Sequence, residues 1–240
     1  MITITALEDK LKMHGYNEES IDEIMPKLEE IDRLRSEKNA VIFAHYYQIA
    51  PIQLIADVKG DSLALAMAAR NLPEDKKLVV SSTVYFMAEM TKLLNQSKKV
   101  VIPDLEASCS IAEGINGATI RRIRNEFPNA GIVAYINTTA DAKAEVDSVC
   151  TSANAKQVLE RIDGDSVIIL PDYYFARNIL ATVNQDGREY LAYKEIKDNK
   201  IILENFNGKT MQIALNKDEQ PKLSKGVCIV HENFTPLDIV

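Results

Sequence analysis

AVIFAHY, residues 40–46, is an apolar run that closes on a histidine and a tyrosine. Five apolar residues without polar alternation describe a strand covered on both faces, as in a parallel sheet. The run has a counterpart in GIVAYIN, residues 131–137. Working outward from strand Ala40–Tyr46, a first pass continues through strands Leu78–Ser82 and Val100–Pro103, then Asp104 and Cys109. From strand Gly131–Asn137, a second pass continues through Ser148–Ser152 and Ser166–Leu170, then Pro171-Asp172 and, after a long detour, Cys228. Helical stretches separate the strands, so the pattern predicts α/β architecture with parallel sheets and right-handed crossovers. Each pass delivers one cysteine beyond its third strand, which suggests a centre held jointly by the repeats.

The remaining segments fit around this frame. Ile21, Ile24, Met25, Leu28 and Ile31 recur at helical spacing, and Asn17 is placed to cap that helix. IQLIADV and SLALAMAARNL also carry helical spacing. Residues 184–224 differ, because REYLAYKEI, KIILENF and KTMQIAL resemble short strands, with Asp186-Gly187 and Asn207-Gly208 as turn signals. The expected organisation is N-terminal helices over 1–38, a first α/β repeat over 39–108 and a second over 109–183. An inserted β-meander over 184–224 stands outside the repeat, and 225–240 opens a third.

Bulk properties exclude several classes. The 240 residues are 46% hydrophobic and 26% charged, with a net charge of −7. No basic stripe offers a path for nucleic acid. No apolar run reaches membrane-spanning length. The N-terminus lacks the pattern of a secretory leader, so a cytoplasmic protein is expected. Three widely spaced cysteines argue against a disulfide scaffold.

Ligands of open parallel sheets bind at the C-terminal ends of the strands. His45 ends the first strand of the first pass, and Gly60-Asp61-Ser62 opens a helix, where N–H groups and a hydroxyl suit an anion. Tyr135 and Asn137 end the first strand of the second pass, and Thr151 and Ser152 end its next strand. These mostly neutral groups suit a small anionic metabolite. Taken singly, such residues have plainer roles: His45 as a hydrogen-bonded structural residue, Tyr46 and Tyr47 as edge-of-core aromatics, Ser62 as a helix cap, Cys150 as a small buried hydrophobe. Cys228-x-x-His231 has the spacing of half a zinc site, without a second pair to complete it.

AHYYQ, GDSLALA, FMAEMTKLLN, PDLEASCS, YINTTADAKAEVD, CTSANA and GVCIVHENF occur in this order. Together they resemble the quinolinate synthase family, over roughly Val41 to Phe234. The resemblance implies three similar three-layer α/β domains around a pseudo-threefold axis, of which two are expected here with the meander insert. It implies a [4Fe–4S] cluster with one cysteine from each domain, so that Cys109 and Cys228 are metal ligands and the third lies beyond Val240. It implies condensation of iminoaspartate with dihydroxyacetone phosphate to quinolinate in NAD biosynthesis. His45 and Tyr47 would then contact substrate and move protons. Ser62 and Ser152 would bind a carboxylate or phosphate, Tyr135 and Asn137 would hold the condensing intermediate, and His231 would contact substrate near the cluster.

Departures accompany the resemblance. PDYYFARNI replaces the family's PDxNLG, and Ser224-Lys225-Gly226 replaces its tryptophan-glycine. With two ligand cysteines the chain by itself is expected to be impaired. A partner chain or a second copy would then supply what is missing. Two other readings stand beside this one. The first is a cluster-free metabolite-binding or regulatory protein. The second is a metal site built on Cys109, Cys228 and His231.

Overall fold

The computed structural model describes residues 4–183, 186–225 and 228. The chain divides into two compact units, one ending at Ala107 and the other beginning at Ser108.

The first unit opens with α1 (Ile4–Met13) and α2 (Glu18–Glu37). Asn17 caps α2, its Oδ1 accepting the Ser20 N–H at 2.8 Å. Leu11, Ile21, Met25 and Leu28 are buried together along the shared stripe. There follow β1 (Ala40–His45), α3 (Ala50–Ile55), β2 (Val58–Gly60), α4 (Ser62–Arg70), β3 (Leu78–Ser82), α5 (Tyr85–Leu94) and β4 (Lys99–Val101). The four strands form a parallel sheet in the order β2-β1-β3-β4. Val41, Phe43 and Val79 pack on one face of it against Leu65 and Ala69 of α4.

The second unit contains α6 (Ser110–Glu113), α7 (Gly117–Glu126), β5 (Gly131–Tyr135), α8 (Ala140–Lys143) and β6 (Ser148–Cys150). It continues through α9 (Ala155–Arg161), β7 (Ser166–Leu170), α10 (Tyr173–Leu180), β8 (Glu189–Lys197), β9 (Lys200–Asn205) and β10 (Thr210–Ala214). Its six strands run in the order β10-β9-β8-β7-β5-β6. Ile132, Ile168 and Leu191 pack on one face with Ile120 and Ile123 of α7. Val133, Val167, Ile169 and Ala192 pack on the other with Leu159 of α9 and Leu180 of α10. Strands buried on both faces explain why both founding runs are apolar throughout.

The two sheets match in detail. In each, the first strand is flanked by the second and third, and a fourth joins outside the third. Asp57 gives its N–H to the Ile42 carbonyl at 2.9 Å, and its Oδ2 accepts the Ile42 N–H at 2.8 Å. Asp147 does the same to Ile132, at 2.9 and 2.8 Å. An arginine from the helix before each first strand pairs with the aspartate, Arg35 of α2 at 2.8 Å and Arg124 of α7 at 2.6 Å.

This match corrects the sequence pairing of the two passes. The counterpart of β6 is β2, not β3. IQLIADV is not one helix, because Asp57 draws the chain alongside β1 and Val58 enters a strand. The strand was hidden by its length of three residues. The two Pro-Asp pairs are likewise not equivalent, since Pro171-Asp172 precedes α10 as Thr83-Val84 precedes α5.

The meander strands form as expected, but the meander is not outside the sheet. β8 pairs in parallel with β7, and only β9 and β10 run antiparallel. The β8–β9 turn is Asp198-Asn199, both with positive φ (50° and 56°), which short polar side chains tolerate. Asp186-Gly187 precedes β8 and makes no hairpin.

Candidate active site

In the first unit, β1 ends at His45, opposite Gly60 of β2. A Cβ on Gly60 would lie 2.6 Å from the Ala64 Cβ, so glycine lets α4 start directly against the strand end. Asp61 caps α4, its Oδ1 accepting the Ala64 N–H at 2.8 Å. Ser62 is therefore the first helical residue rather than the cap, and its hydroxyl is not spent on capping.

His45 and Tyr47 stack, with ring centroids 4.1 Å apart. The His45 Nδ1 accepts the Tyr47 backbone N–H at 3.3 Å. Burial pushes the imidazole below its usual range, and Asp61 opposes this only in part. A neutral ring that accepts at Nδ1 carries its proton on Nε2, so His45 is a donor there. The Tyr47 hydroxyl accepts the Val84 N–H at 2.7 Å, at the start of α5. That bond fixes the phenol at the C-terminal end of β3.

In the second unit, Tyr135 ends β5 opposite Cys150 of β6. Its ring lies 4.4 Å from that of Phe175, on α10. Burial is the main cause that raises the Tyr135 phenol above its usual range, followed by Asp172, Cys150, Cys109 and Cys228. Tyr135 therefore keeps its proton near neutral pH and can donate it. Asp172 is fully buried and caps α10, accepting the Phe175 N–H at 3.0 Å. The Asn137 amide donates to the Cys109 Sγ at 3.8 Å. Thr151 is held by Asn154, whose Oδ1 accepts its N–H at 2.7 Å and its hydroxyl at 3.1 Å. That loop presents Ser152, which is exposed.

The three cysteines divide by environment. Cys150 is 1% exposed, and burial pushes its thiol up to about 12. Cys109 and Cys228 are free and partly exposed, and both act on the Tyr135 phenol. Thiols of this kind suit a soft metal or an iron–sulfur cluster. Among the described residues, no group of three His, Cys, Asp or Glu is placed to hold a metal ion. His231, expected as a substrate contact, lies outside the described residues.

The structure thus brings together His45, Tyr47 and Ser62 at one set of strand ends. It brings Tyr135, Asn137, Cys109 and Cys228 together at another. Equivalent positions carry the candidates, with His45 matching Tyr135, Tyr47 matching Asn137 and Ser62 matching Ser152. Asp61, Asp172 and Phe175 were missed by sequence reasoning. The aspartates carried a readable signal, a residue able to cap just before an apolar helix. Phe175 carried none, because its contact depends on how α10 packs.

The Cys150 thiol has a measurable consequence. Its ionisation is disfavoured in the fold and begins near 9 in the unfolded chain. Stability from this group is complete below pH 9 and is lost as pH rises towards 12, at about 1.4 kcal/mol per pH unit. A Cys150→Ala variant lacks that loss. Its stability deficit, measured by denaturant unfolding, should shrink by about 2 kcal/mol between pH 8 and 10.5. An unchanged deficit would show that the fold does not disfavour the thiolate.

Taken together, the fold and site define an α/β protein with neutral polar groups at the C-terminal ends of parallel strands and a pair of accessible thiols. A family model described as quinolinate synthetase A protein (NadA) matches residues 29–240. The chain belongs to that family. It is 42% identical over 207 residues to quinolinate synthase 2 of Mesorhizobium japonicum, covering 86% of this chain and 53% of that protein. It is 48% identical over 159 residues to quinolinate synthase of Caulobacter vibrioides, covering 64% and 43%. With the quinolinate synthase of Alkaliphilus metalliredigens it shares 38% over 213 residues, covering 89% and 66%. The chain spans about half the length of the first curated relatives it matches. No helix among the described residues is long and apolar enough to cross a membrane.

Proposed function

We propose that this chain supplies substrate-binding strand ends and two cluster thiolates of a quinolinate synthase. The reaction joins iminoaspartate to dihydroxyacetone phosphate and releases quinolinate, phosphate and two waters. The observation that carries the reading is the Cys109 thiol at the end of β5, 3.8 Å from the Asn137 amide, with Cys228 also among the groups that act on Tyr135 there.

Cys109 and Cys228 would hold a [4Fe–4S] cluster together with a third thiolate. Cys150 is not that third ligand, because it is sealed inside the sheet. When bound, a cluster with one iron free of protein ligands supplies a Lewis acid for loss of a hydroxyl group. The chain's own residues bind, orient and move protons. Tyr135 donates a hydrogen bond to a substrate oxygen. The Asn137 amide, beside the Cys109 sulfur, orients a substrate carboxylate or carbonyl. Ser152 offers a hydroxyl to a carboxylate or phosphate, and Ser62 does so within the first turn of α4. His45 holds a proton on Nε2 for a carbonyl or leaving hydroxyl, and Tyr47 relays a proton beside it.

The test supplies the third thiolate from a second polypeptide. The chain is reconstituted anaerobically with iron and sulfide, alone and co-expressed with the C-terminal third of the Alkaliphilus metalliredigens relative. Iron, sulfide and quinolinate formed from the two substrates are measured. Co-expression should give close to four irons per pair and turnover, with little of either from the chain alone. Absence of both cluster and quinolinate in the co-expressed sample would overturn the reading.

A further inference from the structure

Cys109 and Cys228 are separated in sequence by most of the second unit. Cys109 occupies the N-cap of α6, a helix of four residues. So short a helix does not hold itself, and its last carbonyls have no partners within it. Two of them are satisfied from elsewhere in the chain. The Gly114 carbonyl accepts the Tyr193 hydroxyl of β8 at 2.7 Å. The Glu113 carbonyl accepts the Leu223 N–H at 3.0 Å, and Lys222 pairs with the Glu113 carboxylate at 3.2 Å.

Leu223 belongs to a strap over residues 220–225, and Cys228 follows it in the sequence. The strap is itself tied to β8, because the Ile196 N–H bonds to the Ser224 carbonyl and Lys225 bridges Glu195. β7 stops pairing with β8 at Ala192, and the β8 register shifts between Tyr193 and Glu195. The strap docks where the parallel partner has ended. Tyr193 is fully buried, and burial raises its phenol above the usual range, so its hydroxyl is a permanent donor.

We propose that Tyr193 and the Leu223 amide are positioning groups that fix α6, and with it the Cys109 thiol, relative to the strap that precedes Cys228. The meander strand β8 then serves as the common anchor of both thiols. The inference rests on the reading that Cys109 and Cys228 act as a pair.

The test uses cadmium as a probe for paired thiolates, read by the thiolate-to-cadmium charge-transfer band. Wild type should take one Cd²⁺ per chain and lose it in Cys109→Ala and in Cys228→Ala. Tyr193→Phe should weaken Cd²⁺ binding at least tenfold at a temperature well below unfolding. Leu223→Pro, which removes the strap donor without touching the core, should do the same. Tyr190→Phe is the matched control, since it deletes a hydroxyl of the same strand that bonds instead to Asp186 and Arg188, just before β8. It should bind Cd²⁺ like wild type. Wild-type affinity in both Tyr193→Phe and Leu223→Pro would overturn the positioning role. Wild-type binding that survives loss of either cysteine would overturn the thiol pairing and the inference with it.

Discussion

Cys109→Ala or Cys228→Ala, introduced into the co-expressed pair, is expected to lower quinolinate formation at least a thousandfold. On the proposed reading, each of these cysteines would supply one thiolate to a cluster whose remaining iron stays open for substrate, so every thiolate would count. Loss of either would free a second iron and weaken retention of the cluster. Lewis-acid stabilisation of a departing hydroxyl is worth several kcal/mol, and about 4 kcal/mol already corresponds to a thousandfold in rate. Cys150→Ala should retain the rate, because that thiol faces the sheet core. Iron content and turnover measured on the same samples separate the outcomes. Iron lost together with activity supports ligation. Full iron and full rate in Cys109→Ala would sink the ligand assignment. Metabolite binding unchanged by Cys109→Ala, with no iron in wild type, would favour the cluster-free binding protein.

The founding strands β1 and β5 were legible because burial on both faces writes itself as an unbroken apolar run. The strand ends were legible for the same reason, since the polar residue that closes each run is the candidate group. His45, Tyr135 and their neighbours could thus be placed before any geometry was known. β2 was not legible. Three residues leave no periodicity, and what makes them a strand is the Asp57 carboxylate reaching back to Ile42. Missing β2 shifted the alignment of the two passes by one strand. It also left the meander without its parallel contact to β7. The long-range hydrogen bonds to α6, on which the proposed pairing of Cys109 with Cys228 rests, are encoded by no local pattern. The recurrence of a cysteine after each pass suggested a shared centre, and the resemblance named the ligands expected there.

The backbone aspartates make the other large prediction. Asp147→Ala should destabilise the second unit by about 2–3 kcal/mol, the cost of leaving a buried N–H without an acceptor and losing one charged hydrogen bond. Ile132 is fully buried, so water cannot readily replace the carboxylate there. The ion pair contributes less, because the Asp147 and Arg124 side chains are 46% and 30% exposed. Exposed pairs of this kind are worth about 0.2–1 kcal/mol. Asp147→Asn separates the two contributions, since its amide oxygen can still accept the Ile132 N–H while the charge is gone. The expected loss for Asn is therefore under about 1 kcal/mol. Denaturant unfolding gives both values, and hydrogen exchange at the Ile132 amide should accelerate far more in Ala than in Asn. Equal losses in the two variants would assign the effect to charge and remove the backbone bond as its cause. Asp57→Ala should repeat the result at Ile42 in the first unit, as the matching 2.9 and 2.8 Å bonds require. A device that holds the first and second strands in register in both sheets also holds His45 against Gly60 and Tyr135 against Cys150. Its loss should accordingly disturb the strand ends that carry the site before it unfolds the sheet.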